Sequence, residues 1–393
     1  MTPRLYLLAA GTFTIGTTAY LITSLLPAIS AELGVSQAVA GQLSTTFALA
    51  YAISAPIVAT VTGRWNRRTL LVVALLTTVA GNLISAAAPS FAILATGRVV
   101  AAIGAAAFTP TATLVAAGLL PERRGRAVAI VFGGLTLAMA AGVPAGGLLA
   151  PLLGFRGVHV AVAALGLVIA LAVARVVPSV PAPAAAGVGM RERLRVAADP
   201  RALAVLAMSV IGVVAAMTTY TYLVPFLGAV TQVHGLTVII LLVTYGVGAM
   251  IGNTLGGRAT DRFGTRTVLL AVLIGFTVLV VFLPLAARSV IGAGILLLLW
   301  GLFGWAFNPP VQTLLVEISG PRAGLLISLN ASAIYLGSGI AGGLGGLVIG
   351  VAGAGVLPYV SAGLGVLGLV IGIVTVLRRE RVPARQRAGV GSG

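Results

Sequence analysis

Twelve apolar runs of about 19–28 residues fill most of the chain, and the short stretches between them carry nearly all of its charge. They lie near 5–27, 38–62, 69–88, 91–118, 127–151 and 157–177, then near 202–229, 236–257, 267–287, 289–316, 324–350 and 354–377. Each is long enough to cross a hydrocarbon core of about 30 Å as a helix. A soluble surface could not be built from what remains, because only 8% of the 393 residues are charged, roughly a third of the usual share. Barrel strands alternate in polarity and need only about 9–11 residues, which these runs do not match. The predicted class is an all-α integral membrane protein with 12 transmembrane helices.

An even number of crossings returns both termini to one side. All basic residues are arginine, and 21 of the 24 fall on that side. They include Arg64, Arg67 and Arg68, Arg123, Arg124 and Arg126, Arg191, Arg193, Arg195 and Arg201, Arg258, Arg262 and Arg266, Arg322, and the tail from Arg378 to Arg387. The opposite loops hold Arg156 and Arg288, with Glu32 and His234. The positive-inside rule makes the arginine side cytoplasmic. The residue usage, rich in alanine, glycine and valine and free of lysine, suggests a high-GC bacterium. The expected location is therefore a bacterial cytoplasmic (cell) membrane, multi-pass, with both termini cytoplasmic. The first run exceeds the roughly 7–15 residues of a signal-peptide core and is read as a retained helix. The net charge of +17 is spread over short loops, so nucleic acid is excluded as a partner and the lipid bilayer takes its place. The tail arginines suit anionic headgroups.

The chain has no cysteine, two histidines and seven carboxylates. That supply excludes disulfides and thiolate sites, and it argues against a metal centre or a hydrolase triad. No cofactor, no metal and no enzymatic activity are expected. ATP use is excluded as well, since there is no P-loop and no lysine to complete one.

The longest polar interruption, Pro178–Pro200, divides the chain in two. The expected organisation is an N-terminal six-helix bundle over 1–177, a cytoplasmic linker over 178–201 with RERLR as a short surface helix, a C-terminal six-helix bundle over 202–377, and a basic cytoplasmic tail over 378–393. The halves repeat at a steady offset. Pro27 matches Pro225, Arg64 matches Arg262 and Arg68 matches Arg266, while Gly104, Pro110, Pro121 and Gly142 match Gly304, Pro310, Pro321 and Gly342. A parallel repeat of this kind places a substrate site near mid-membrane, between the halves.

Three motifs stand on this frame. G-R-A-T-D-R-F-G-T-R, Gly257 to Arg266, joins the eighth and ninth runs, and its Asp261 can hold a helix N-terminus through the dipole. The recipient would be the start of the fifth helix, near Gly125–Ala127. The first-half copy, Ala59 to Arg68, has Ala59 and Gly63 where the pattern has glycine and aspartate. In L-A-T-G-R-V-V-A-A-I-G, Arg98 lies inside the fourth run, where a charge costs at least about 2.5–3.5 kcal/mol near the centre. It is read as facing an interior cavity, with snorkelling to the outer headgroups as the alternative. G-G-L-T-L-A-M-A-A-G-V-P-A-G-G, Gly133 to Gly147, supplies small residues for close helix contact and a proline that interrupts the ladder. Gly342, Gly346 and Gly350 read as ordinary close packing.

Over nearly its whole length the chain resembles the major facilitator superfamily, closest to its 12-helix drug and sugar efflux branch. The resemblance implies two pseudo-symmetric six-helix bundles. It implies a conformational latch at Gly257, Asp261, Arg262, Gly264 and Arg266, and a helix-five gating motif at Gly134, Gly142, Pro144 and Gly146, with the family's Gly-Pro pair split by Val143. It implies a monomeric secondary active transporter exporting a small amphipathic molecule (drug, sugar or metabolite) by alternating access, with a proton counter-ion. An importer or an uncoupled facilitator of a neutral solute is the alternative, and a non-transporting receptor a more distant one.

Efflux relatives often carry a carboxylate on the first helix, where this chain has Ala19. No run has an acidic residue in its middle third, and arginine cannot serve as a proton carrier. Glu32, reaching towards Arg98, is the remaining candidate. Polar stripes at helical spacing nominate Arg98, Tyr20, Thr23, Tyr222, Trp305, Asn308, Gln312 and Tyr335 for substrate or coupling. Asp261→Asn is expected to shift the population towards the inward-open form. Cytoplasmic-side labelling of introduced cysteines checks this, and unchanged labelling refutes it.

Overall fold

The computed structural model describes residues 3–181, 195, 198–319 and 323–377, so most of the linker, including Arg191–Leu194, and the tail over 378–393 lie outside the described residues. The described elements are helical. They are α1 (Pro3–Tyr20), α2 (Ile22–Leu33), α3 (Gln37–Val61), α4 (Arg67–Ala86), α5 (Phe91–Leu119), α6 (Arg124–Leu137) and α7 (Val143–Val176). After the linker come α8 (Pro200–Thr221), α9 (Leu223–Val230), α10 (Leu236–Phe263), α11 (Thr265–Ala286), α12 (Val290–Ala306), α13 (Asn308–Ser319), α14 (Ala323–Ala352) and α15 (Leu357–Leu377).

Among the described residues ten helices are long and apolar enough to cross a membrane, or eleven with the bent first pair taken as one span, and several predicted runs are not single straight helices. The first breaks at Leu21 and bends by 44° between α1 and α2. The seventh breaks at Tyr222 between α8 and α9, and the tenth at Phe307 between α12 and α13. Conversely, the stretch Arg124–Val176 is 53 residues of near-continuous helix, too long for one crossing at about 1.5 Å per residue. It turns at Gly154, whose φ of 64° and ψ of 174° lie outside the helical region and suit glycine. The fifth and sixth crossings therefore join at that turn.

Local chemistry explains the ends and defects. Ser36, Asn66, Asp199 and Ser289 cap their helices by accepting backbone N–H bonds. Between α6 and α7, Ala138–Gly142 forms a π turn in which the Val143 N–H bonds to the Ala138 carbonyl. Pro144 follows and has no N–H to return to Ala140, so the ladder is redirected one residue early. The latch motif is not a loop: Gly257 to Phe263 belong to α10, and only Gly264, at φ 84°, makes the connection.

In the first bundle α4 lies against α5 and α7, α1 against α6, and α3 against α5. In the second, α10 lies against α12, α8 against α14 and α15, and α11 against α15. Large apolar side chains such as Ile53, Val168, Leu285 and Leu347 stand exposed on the outside, where hydrocarbon would cover them. Two seams join the bundles. Along α3 and α14, a Cβ on Gly342 would meet the Thr45 side chain, and one on Gly346 would meet Gln42. Along α10 and the π turn, a Cβ on Gly246 would enter the backbone of Met139 and Ala140. Gly342 and Gly346 are thus close-packed as expected, but against the other bundle; Gly350 touches nothing.

Tyr222, at the break between α8 and α9, ties the first seam. Its hydroxyl donates to the Gly342 carbonyl at 2.9 Å, and Gln42 Nε2 donates to the Tyr222 hydroxyl at 3.3 Å. A net hydrogen bond is worth about 0.5–1.5 kcal/mol. Tyr222→Phe is therefore expected to raise labelling of a cysteine at Ser44, applied from the arginine-poor face, by about 2–10-fold. Unchanged labelling would show that the tyrosine hydroxyl does not hold the seam.

Candidate functional site

A cavity of about 1000 Å³ lies between the bundles. Its rim is at the arginine-rich face, where Thr62, Gly63, Arg64 and Arg67 meet Leu325 and Ser328 from the other bundle. Its inner end is formed by Tyr20, Tyr51, Tyr245, Trp305 and Tyr335. Beyond that end the two seams close the molecule. The structure is therefore open on the arginine-rich face and shut on the other.

The wall is mainly apolar and aromatic, with Phe276, Phe303 and Phe307 among its residues. Its neutral polar groups include Thr109, Thr113, Asn308, Gln312 and Asn330, and no aspartate or glutamate lines it among the described residues. Helix breaks place the principal groups. Tyr20 is the last residue of α1, and Trp305 and Asn308 flank the break at Phe307. Irregular backbone at membrane depth is tolerated where it lines a cavity.

Aromatic contacts stiffen the inner end. Tyr51 of α3 stacks on Tyr335 of α14 with ring centres 3.5 Å apart, joining the two bundles. Tyr20 meets Tyr220 edge-on at 6.5 Å, Tyr220 meets Tyr245 at 4.6 Å, and Tyr245 meets Trp300 edge-on at 5.5 Å. Trp305 and Tyr245 share a side-chain hydrogen bond. Such a surface can hold a ligand by ring contacts and a few hydrogen bonds, without ion pairing at the inner end.

Of the residues nominated from sequence, Tyr20, Trp305, Asn308, Gln312 and Tyr335 line this cavity. Thr23 borders a separate void of about 20 Å³ on the closed side, and Tyr222 is in the seam. Arg98 neither faces the cavity nor snorkels. It is 1% exposed, behind α1. Its Nη1 donates to the Thr18 carbonyl at 2.5 Å and Nη2 to the Ala19 carbonyl at 3.1 Å. The guanidinium carbon lies 4.5 Å from the centre of the Phe47 ring. Carbonyls in the last turn of a helix lack intrahelical partners, and a fixed cationic donor satisfies them where α1 breaks. Glu32 does not reach Arg98 either; it forms an ion pair with Arg156, whose Nη2 also donates to the Ala88 carbonyl.

The glycines of the helix-five motif serve α1. A Cβ on Gly134 would meet Ala9 and Thr12, one on Gly142 would meet Thr17, and one on Gly146 would meet Leu21. Pro144 acts through the π turn, which sets Met139 and Ala140 against Gly246 of α10. In the latch motif, Asp261 and Arg262 are exposed near the end of α10, and Arg262 lies 5.3 Å from the Phe263 ring centre. Sequence reasoning missed Tyr51, Tyr245, Asn330 and Arg67. Tyr51 lies off the polar face marked by Gln42, Thr45 and Thr46, Tyr245 sits in a run with no polar stripe, and Arg67 read as an orienting loop charge although its side chain folds inward to 9% exposure.

The Major Facilitator Superfamily model matches residues 8–252 and 206–392. The chain belongs to the major facilitator superfamily. It is 34% identical to inner membrane transport protein YdhP of Escherichia coli (strain K12), over 95% of each chain. It is 30% identical to chloramphenicol efflux pump Rv0191 of Mycobacterium tuberculosis (strain ATCC 25618 / H37Rv), over 88% of this chain and 87% of that one. The fold also matches the crystal structure of a bacterial homologue of the human lysosomal transporter Spinster in an inward-facing, unoccupied conformation. That match has a TM-score of 0.68 and 20% identity, and covers 96% of this chain and 95% of the other. This superfamily member is a multi-pass membrane transporter, and its two six-helix bundles are those of the major facilitator fold.

Arg98→Ala leaves two buried carbonyls without their charged donor, at about 1.5–3 kcal/mol per bond. The expected result is a fall in thermal stability, with equilibrium binding to the folded fraction changed less than by Trp305→Ala. Thermal unfolding and ligand titration of the two variants check this. Wild-type stability with lost binding would instead make Arg98 a direct ligand contact.

Proposed function

We propose that the arginine-rich face is cytoplasmic and that the protein exports a small amphipathic molecule in exchange for protons, by alternating access as a monomer. The observation that carries this reading is the cavity itself: it sits between the bundles, opens on one face, and ends at seams that must part to open the other. A compound would enter from the cytoplasm or inner leaflet and dock against Tyr20, Tyr335 and Trp305, with Asn308 and Gln312 supplying hydrogen bonds. The bundles over 1–177 and 202–377 would then rock, closing the rim and parting the seams. The efflux pump among the relatives supports export of a drug-like compound.

One observation favours a second reading. Because no described carboxylate lines the cavity, an uncoupled facilitator would need nothing that is missing there. Inverted vesicles holding a proton gradient separate the two, using chloramphenicol and a panel of drugs, sugars and metabolites. Export predicts gradient loss on adding one of these compounds, with Trp305→Ala or Asn308→Ala raising its half-saturating concentration about 5–30-fold, as expected for about 1–2 kcal/mol of lost contact. Passage of the compound with no change in the gradient would establish the facilitator.

A further inference from the structure

Proton exchange needs a group within the membrane that can take up and release a proton, and none of the described carboxylates lines the cavity. The chain has two histidines. His234 is exposed between α9 and α10, whereas His159 is 0% exposed, in α7 just beyond the Gly154 turn. His159 Nδ1 lies 2.8 Å from the Phe155 carbonyl oxygen. A carbonyl only accepts, so Nδ1 carries the hydrogen and Nε2 presents a lone pair. That Nε2 is buried and has no hydrogen-bond partner, an arrangement that is unfavourable unless the site has another use.

The surroundings join this imidazole to the cavity. Arg98 of α5 is close enough to act on it electrostatically. Arg98 in turn holds the Thr18 and Ala19 carbonyls at the end of α1, and Tyr20, the next residue, lines the cavity. Asn82 of α4 donates to the Thr18 hydroxyl at 3.1 Å, and its own Oδ1 has no donor. One turn nearer the arginine-poor face, Arg156 on α7 is paired with Glu32 of α2. The remaining charges on the helices packed against α7 are at their opposite ends: Arg4 on α1, Arg67 and Arg68 on α4, and Arg258, Asp261 and Arg262 on α10.

We propose that His159 is the proton-binding site of the transport cycle, with Arg98 as the positioning residue that passes its charge state to the cavity wall. The inference rests on the proton-exchange reading above. With the arginine-poor face open, a proton from water passes the Glu32–Arg156 pair and adds to the Nε2 lone pair. Nδ1 keeps its hydrogen, and the ring becomes an imidazolium. A second positive charge within electrostatic reach of Arg98, in a low-dielectric interior, repels the guanidinium and weakens its hold on the Thr18 and Ala19 carbonyls. The break between α1 and α2, and Tyr20 with it, is then free to change angle. As the protein passes back towards the form open on the arginine-rich face, Nε2 gives the proton up to water admitted past Tyr20 before the site closes to the buried arrangement seen here, and Arg98 returns to the carbonyls. The present structure, open on that face with Nε2 bare, is the proton-released state.

The chain is free of cysteine, so spin labels at Val61→Cys and Leu325→Cys report the width of the rim of the full-length protein in nanodiscs. The parent is expected to shift between two distance populations from pH 5 to 8.5, and His159→Gln to lose that shift. In the His234→Gln background His159 gives the remaining histidine ¹⁵N signal, and its Nε2 is expected to take up a proton over the same pH range. This second measurement decides the matter if His159→Gln fails to fold. A His159→Gln variant that keeps the parent's midpoint, or an Nε2 that stays bare while the rim responds, overturns the proposal and leaves proton exchange standing. A parent rim with no pH response, together with no gradient loss in vesicles, overturns both.

Discussion

The structure depends on a rule that hydrocarbon imposes: every interruption of a helix must be repaired from inside the protein, because no water is present to do it. The chain interrupts its helices at Leu21, at the Ala138–Gly142 π turn, at Gly154, at Tyr222 and at Phe307, and the repairs define the molecule. Arg98 repairs the first from a neighbouring helix. The π turn contains the defect set by Pro144. At Tyr222 the broken span turns its side chain into the seam between the bundles. The Phe307 break brings Trp305 and Asn308 to the cavity. Irregularity, repair and function therefore occupy the same positions.

The two faces are closed by different means. On the arginine-poor face, glycines let the helices approach closely, and the polar contacts include those of Tyr222 and Gln42 and that of Tyr220 with the Met139 sulfur. Small residues of this kind let neighbouring helices approach closely with few polar ties between them. On the arginine-rich face the cavity rim carries Arg64 and Arg67, and the first-half copy of the latch motif has Gly63 where its aspartate would be. The two halves thus share a plan and some of its arginines, but not the aspartate. Arg98 has Leu298 at the corresponding position, so the cation that serves the α1 break has no counterpart at that position of the second bundle.

Much of the fold could be read from the sequence. The spans follow from run length, and the family from motifs at Gly257–Arg266 and around Arg98. Cavity residues at helix breaks were also accessible, since Tyr20, Trp305 and Asn308 are polar or aromatic among strongly apolar neighbours. What could not be read was direction. Thr23 shares a face with Tyr20 on an ideal helix, but the bend at Leu21 carries it to the closed side. Arg98 shares a stripe with Thr109 and Thr113, yet its buried guanidinium is taken up by the Thr18 and Ala19 carbonyls while both threonines line the cavity. Tyr51 gave no signal because its partner, Tyr335, is nearly three hundred residues away. His159 was passed over as one of two histidines, and only its orphaned nitrogen and the proximity of Arg98 single it out.

The aromatic inner end has an optical consequence. Of the three tryptophans, Trp305 lines the cavity and Trp300 touches Tyr245 beside it, leaving Trp65 alone at the arginine-rich surface. Two of the three tryptophans therefore lie in or next to the cavity wall. Arrival of a ligand, or rearrangement of the tyrosine ladder, would register as a change in native fluorescence without any attached reporter.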